Sequence, residues 1–116
     1  FAGAIDFYFA CTDALAYDIA VALNAWCFVP DGSFNVTSAR QLVAGYEQRR
    51  PLSAAERRAL PILARGAAMR FFLTRLQDWH ATPAGALVKP KDPLEYERKL
   101  AVHRSSPDLV LFGAPA

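Results

Sequence analysis

A mainly α chain, with one short strand followed by four to five helices, is what three features of this 116-residue sequence predict. Apolar residues recur at helical spacing over most of its length, helix-start signatures appear at intervals, and only residues 4–8 read as a strand. Hydrophobic residues make up 53% and charged residues 21%, the balance of a globular chain able to build one modest domain with a core.

The strand rests on Ile5, Phe7 and Tyr8, good strand formers placed after Gly3. Thr12 and Asp13 then offer oxygens to the first N–H groups of a helix expected from Ala14 to Cys27. Leu15, Ile19, Ala22, Leu23 and Trp26 recur along it, and Ala16, Ala20 and Val21 make the other faces apolar, which predicts a central, buried helix. Pro30-Asp31-Gly32 ends it in a turn. A second helix is expected from Ser38 to Arg49, with Leu42, Val43 and Tyr46 facing inward, until Pro51 stops it.

Ser53 and Glu56 form a capping-box pair, so a helix begins there. Pro61 either kinks it or opens the first turn of a new helix. From Ile62 the pattern is helical to Ala81, with Gly66, Met69, Leu73 and Leu76 on one stripe and Phe72 widening it. Lys89-Pro90-Lys91 is a basic loop. Asp92-Pro93-Leu94-Glu95 starts the last helix, expected to reach His103. Residues 1–104 thus form one unit and 105–116 an irregular tail. A lone strand needs a sheet partner, and the chain opens at Phe1 in an apolar stretch without Met; both predict further chain upstream.

Several function classes are disfavoured. The net charge is +2 and the basic residues form no block, which argues against a nucleic-acid partner. No apolar run reaches membrane-span length, and the apolar first residues lack the basic lead and cleavage pattern of a signal peptide. Cys11 and Cys27 lie in apolar surroundings without Cys-x-x-Cys spacing. They read as buried reduced thiols in a cytoplasmic protein, not as a zinc site or a disulfide.

Chemistry is most concentrated at Ile5-Asp6-Phe7. A carboxylate on a buried apolar strand is costly unless a positive group compensates it. Mg²⁺ against nucleotide phosphates does so, since it takes hard oxygen ligands and often only one or two protein carboxylates. A turn or cap residue is the plainer reading. Asp18, in an apolar helix on a face with Ala14, Ala22 and Ala25, is either a buried group that needs donors or an exposed helix carboxylate. Arg70, Thr74, Gln77 and Asp78 make a polar stripe on the long helix. Arg70 or Arg75 offers a fork for a substrate carboxylate; the alternative for Arg75 is a surface pair with Asp78 contributing about 0.3–0.5 kcal/mol. Trp26 and Trp79 read as core aromatics. His80 and His103 lie near helix ends that suit a partly charged imidazole, without a Ser, Cys or metal-type partner.

The run Ile5-Asp6-Phe7-Tyr8-Phe9-Ala10, followed by Asp13-Ala14-Leu15-Ala16-Tyr17-Asp18-Ile19-Ala20, resembles the aminoglycoside-phosphotransferase-like kinases. Leu23-Asn24-Ala25-Trp26-Cys27-Phe28, Leu60 to Phe71, Leu73-Thr74-Arg75-Leu76 with Asp78-Trp79, and Val88 to Tyr96 are similar to the bacterial homoserine kinase family within that superfamily. The resemblance covers the chain to about Arg104. It implies a two-lobed kinase-like α+β fold with this chain in its C-terminal helical part, and phosphate transfer from ATP to the hydroxyl of L-homoserine in threonine biosynthesis. It implies Mg²⁺ at Asp6 and a structural anchor at Asp18 that braces the catalytic loop. No His-Gly-Asp-x-x-x-x-Asn run, Gly-rich phosphate loop or nucleotide-binding Lys is present. The catalytic residues are therefore expected upstream of Phe1, and the chain alone is expected to be inactive. A kinase for methylthioribose or an amino alcohol, and a non-catalytic helical interaction module, are the alternatives.

Overall fold

The computed structural model describes residues 2–4 and 14–106. Asp6, Cys11, nearly all of the expected strand and the tail from residue 107 lie outside them. Among the described residues there are four helices: α1 (Ala16–Trp26), α2 (Val36–Glu47), α3 (Ala54–Ala81) and α4 (Leu94–Ser105). The long α3 is the backbone of the molecule; α1 and α4 pack against it, and α2 packs on α1. The mainly α expectation holds for the described residues.

α1 buries Ala16, Ile19, Ala20, Leu23 and Asn24. These positions cluster on one side at the helical period, and the small alanines let α3 approach closely. The expected stripe was only half right, because Leu15 and Trp26 are exposed, Trp26 by 78%. An all-round apolar helix does not reveal which side its own chain covers. After α1 the backbone makes a small hairpin: Val29 N–H donates to Ser33 O, and Phe28 bridges Phe34. Asp31 Oδ1 accepts from Ser33 N–H at 2.8 Å, and Gly32 supplies the φ of +92° that the turn requires.

α2 starts two residues earlier than expected, since Asn35 is its cap, accepting from Ser38 N–H at 3.0 Å. Val43 is buried, with Leu42 and Tyr46 half-buried against the core. The expected capping box is present in full: Ser53 Oγ accepts from Glu56 N–H and Glu56 Oε2 from Ser53 N–H. Arg50 pairs with Glu56 and Arg57 with Glu47, which ties α2 to the start of α3 and holds both carboxyls below their ordinary pKa.

Pro61 opens no new helix; α3 runs through it for 28 residues. Pro61 has no N–H for the Arg57 carbonyl, but Leu60 and Ala64 on either side are fully buried and anchor the helix. The buried face of α3 is Leu60, Ala64, Ala67 and Ala68, with Phe71 and Phe72 packed beside it. This corrects the predicted stripe, as Met69 and Leu73 are exposed. Alanines face the neighbours because two helices cross there at close range. Trp79 is half exposed, against the expectation of a core aromatic.

α4 is capped as its sequence implies. Asp92 Oδ1 accepts from Leu94 N–H at 2.9 Å, and Pro93 already has helical dihedrals. Cys27 is buried and reduced, with its thiol pKa pushed up by burial. No helix among the described residues is long and apolar enough to cross a membrane.

Candidate functional site

A cleft of about 770 Å³ opens between the second half of α3, the connection into α4 and the first turns of α4, with Val21 and Ala25 of α1 also lining it. Its volume is that of a small-molecule site. Phe71, Thr74, Arg75 and Asp78 reach it because they lie at i, i+3, i+4 and i+7 on α3. Lys89 and Lys91 come from the basic loop, and Glu95, Tyr96 and Lys99 from α4.

Arg75 is the fixed point of the cleft. Its Nη1 donates to Asp92 O at 3.1 Å and to Glu95 Oε2 at 2.5 Å. The guanidinium carbon lies 4.5 Å from the Tyr96 ring centroid, a cation–π contact, and Tyr96 stacks on Phe71. Glu95 places one oxygen on Arg75 and the other 3.2 Å from Lys99 Nζ. The Arg75 hydrogen bond, helped by Lys99, holds the Glu95 carboxyl below its ordinary range. Burial pushes the Tyr96 hydroxyl up.

Behind the cleft lies a buried polar chain. Lys99 Nζ donates to Asn24 O at 2.7 Å, which satisfies a free carbonyl in the last turn of α1 and places a cation at its negative end. The ammonium also lies over the Tyr96 and Phe28 rings. Asn24 Nδ2 donates to Ala20 O and to Ala64 O, joining α1 to α3. Asn24 Oδ1 is therefore an acceptor, and His103 Nε2, 2.7 Å away, must carry its proton. Burial, with lesser contributions from Arg65 and Lys99, lowers the His103 pKa to about 4. His103 is thus a neutral core residue and not the partly charged imidazole that a helix end would suit.

The residues singled out in the sequence separate in space. Arg75 and Asp78 line the cleft, but Arg75 pairs with Glu95 across helices and not with Asp78. Arg70 turns toward α1, where its Nη1 donates to Tyr17 Oη at 3.3 Å. Asp18, in the first turn of α1, is exposed; on its face Ala14 and Ala25 are exposed and Ala22 is half-buried, so the buried surroundings expected for it are not found among the described residues. Asp6 lies outside those residues. Asn24, Glu95, Lys99 and His103 were not foreseen as a group. The signal for Asn24 was there, a single amide in the apolar run from Ile19 to Trp26.

Among the described residues no three His, Cys, Asp or Glu side chains come together to hold a metal ion. Asp6, the expected Mg²⁺ ligand, lies outside those residues.

Residues 1–52 match the profile of the phosphotransferase enzyme family. The whole chain is 84% identical to a homoserine kinase of Phenylobacterium zucineum and 79% identical to one of Caulobacter sp. strain K31, covering 36% of each. Over 98% of its length it is 65% identical to a homoserine kinase of Xanthobacter autotrophicus, again covering 36%. The chain thus spans about a third of the length of the curated relatives it matches, and the resemblance read from its motifs extends along all of it.

Proposed function

We propose that this chain is the C-terminal helical part of an ATP-dependent homoserine kinase, which transfers the γ-phosphoryl group of ATP to the hydroxyl of L-homoserine and yields O-phospho-L-homoserine for threonine biosynthesis. The observation that carries the reading is 84% identity over all 116 residues to a relative of that name. The match of residues 1–52, which include Asp6, to a phosphotransferase family supports it. The partner that completes the enzyme is the N-terminal part of the same polypeptide. The exposed apolar side chains Leu15, Trp26, Ile62 and Leu73 are the kind of surface such a part covers.

Asp6 is the residue that would hold Mg²⁺, which neutralises charge on the transferring phosphoryl group when bound. Asp18 is the anchor: it lies on an exposed, mostly apolar face of α1, where a loop from the rest of the polypeptide can present N–H donors. The catalytic base and most of the ATP site belong outside these residues. Arg70 or Arg75 supplies the guanidinium group for the homoserine carboxylate, and the cleft favours Arg75. The reaction takes place in the cytoplasm.

A coupled ADP-release assay on the full-length protein tests the proposal. Saturable turnover with L-homoserine, well above that with methylthioribose or an amino alcohol, is expected. Turnover only with one of the others moves the protein to a different small-molecule kinase, and no turnover with any favours an interaction module.

A further inference from the structure

We propose that the cleft between α3 and α4 is a zwitterion site for the α-amino-acid end of the substrate, with Arg75 taking the carboxylate, Asp78 taking the ammonium and Glu95 acting as a positioning residue for Arg75. The inference rests on the kinase reading above and deepens it.

Arg75 has a used edge and an open edge. Both of its hydrogen bonds, to Asp92 O and Glu95, leave from Nη1. Nε and Nη2 have no partner among the described residues, yet neither is sealed from solvent: Arg57 Nε is the buried unpartnered side-chain polar atom there. The Nε–Nη2 edge is the planar fork that matches a carboxylate. Glu95, Asp92 O and the Tyr96 ring hold the guanidinium in one orientation, so little freedom is lost when a ligand docks.

Asp78 lies one turn further along α3, where side chains are about 5–6 Å apart at Cβ. Its side chain lines the same cleft, is exposed, and makes no hydrogen bond or ion pair among the described residues. An α-amino acid carries its carboxylate and ammonium on one carbon, so it can bridge an Arg and an Asp at this spacing. The charges favour the same orientation. Lys89 and Lys91 add positive potential, while the Lys99 ammonium is already taken by Glu95 and Asn24 O. Arg70 does not line this cleft, which assigns the carboxylate to Arg75.

The test uses the full-length protein and three ligands: L-homoserine, 4-hydroxybutyrate, which lacks the ammonium, and 3-aminopropan-1-ol, which lacks the carboxylate. Asp78→Asn removes a carboxylate with no partner among the described residues and should leave the fold intact. It is expected to raise the homoserine KM about 10- to 100-fold, the scale of one lost charge-assisted hydrogen bond, with the ATP KM unchanged. It should weaken 3-aminopropan-1-ol binding likewise and leave 4-hydroxybutyrate binding unaltered. Arg75→Lys, which keeps the charge and loses the fork, should show the reverse selectivity, and Glu95→Gln a smaller loss of the same kind. An unchanged homoserine KM in Asp78→Asn, or equal losses for all three ligands, overturns the site and leaves the kinase reading standing. A wild-type protein that does not phosphorylate homoserine overturns both.

Discussion

His103 and Asn24 show how one amide can fix the state of a distant residue. Because Asn24 gives both N–H donors to helix carbonyls, its oxygen requires a donor, and His103 is held as the neutral Nε2–H tautomer. In ¹⁵N-histidine NMR of the full-length protein, the His103 resonance, assigned by its loss in His103→Gln, should keep the neutral pattern at pH 6 and change only toward about pH 4. Titration near the ordinary value of about 6.5 contradicts this account. The sign for stability follows. The folded pKa lies below the unfolded one, so the neutral imidazole's contribution is complete above about pH 6.5 and is lost as pH falls through about 4. At this scale the sequence was a partial guide. It put Arg75 forward as a candidate and noted Asp78, but not Glu95, because an ion pair across 20 residues has no local signature.

Helix ends were the most legible elements. Ser53 with Glu56, and Asp92 with Pro93, are local chemistry within a few residues, and each begins a helix as read. Ser53→Ala should cost about 1 kcal/mol, measured by urea denaturation, because Glu56 N–H loses its acceptor. Helix faces were less legible. α3 is apolar or small over much of its circumference, and the bulky Met69 and Leu73 drew the expected stripe away from Ala64, Ala67 and Ala68. Tertiary contact, not hydrophobicity, selected the face, since alanines permit the closer crossing. Ala67→Leu should therefore destabilise by about 1–3 kcal/mol through overpacking, while Leu73→Ala should cost less than about 1 kcal/mol in the isolated chain, where that side chain is exposed. A larger penalty for Leu73 than for Ala67 contradicts the packing described.

At the scale of the whole molecule, the four helices of the described residues form a cleft with an oriented Arg75 and an exposed Asp78, and Asp6 belongs to the segment, residues 1–52, that matches the phosphotransferase enzyme family. The mainly α class was legible because helical periodicity and caps are dense in the sequence. The rest of an active site was not legible, because no His-Gly-Asp-x-x-x-x-Asn run and no Gly-rich phosphate loop occurs in these 116 residues. Residues 1–116 on their own should release no ADP above background with homoserine and ATP. In the full-length protein, Asp6→Ala should lower kcat by at least about 100-fold while leaving homoserine binding in place, since it removes charge neutralisation and not the cleft.

The most direct measurement is ³¹P NMR of the product made by the full-length protein from ATP and L-homoserine. The account predicts a new phosphomonoester resonance coupled to the terminal methylene protons of homoserine, growing far more slowly with Asp6→Ala and absent with residues 1–116 alone. No such resonance from the wild-type protein, while ATP with methylthioribose or an amino alcohol gives one, would contradict it.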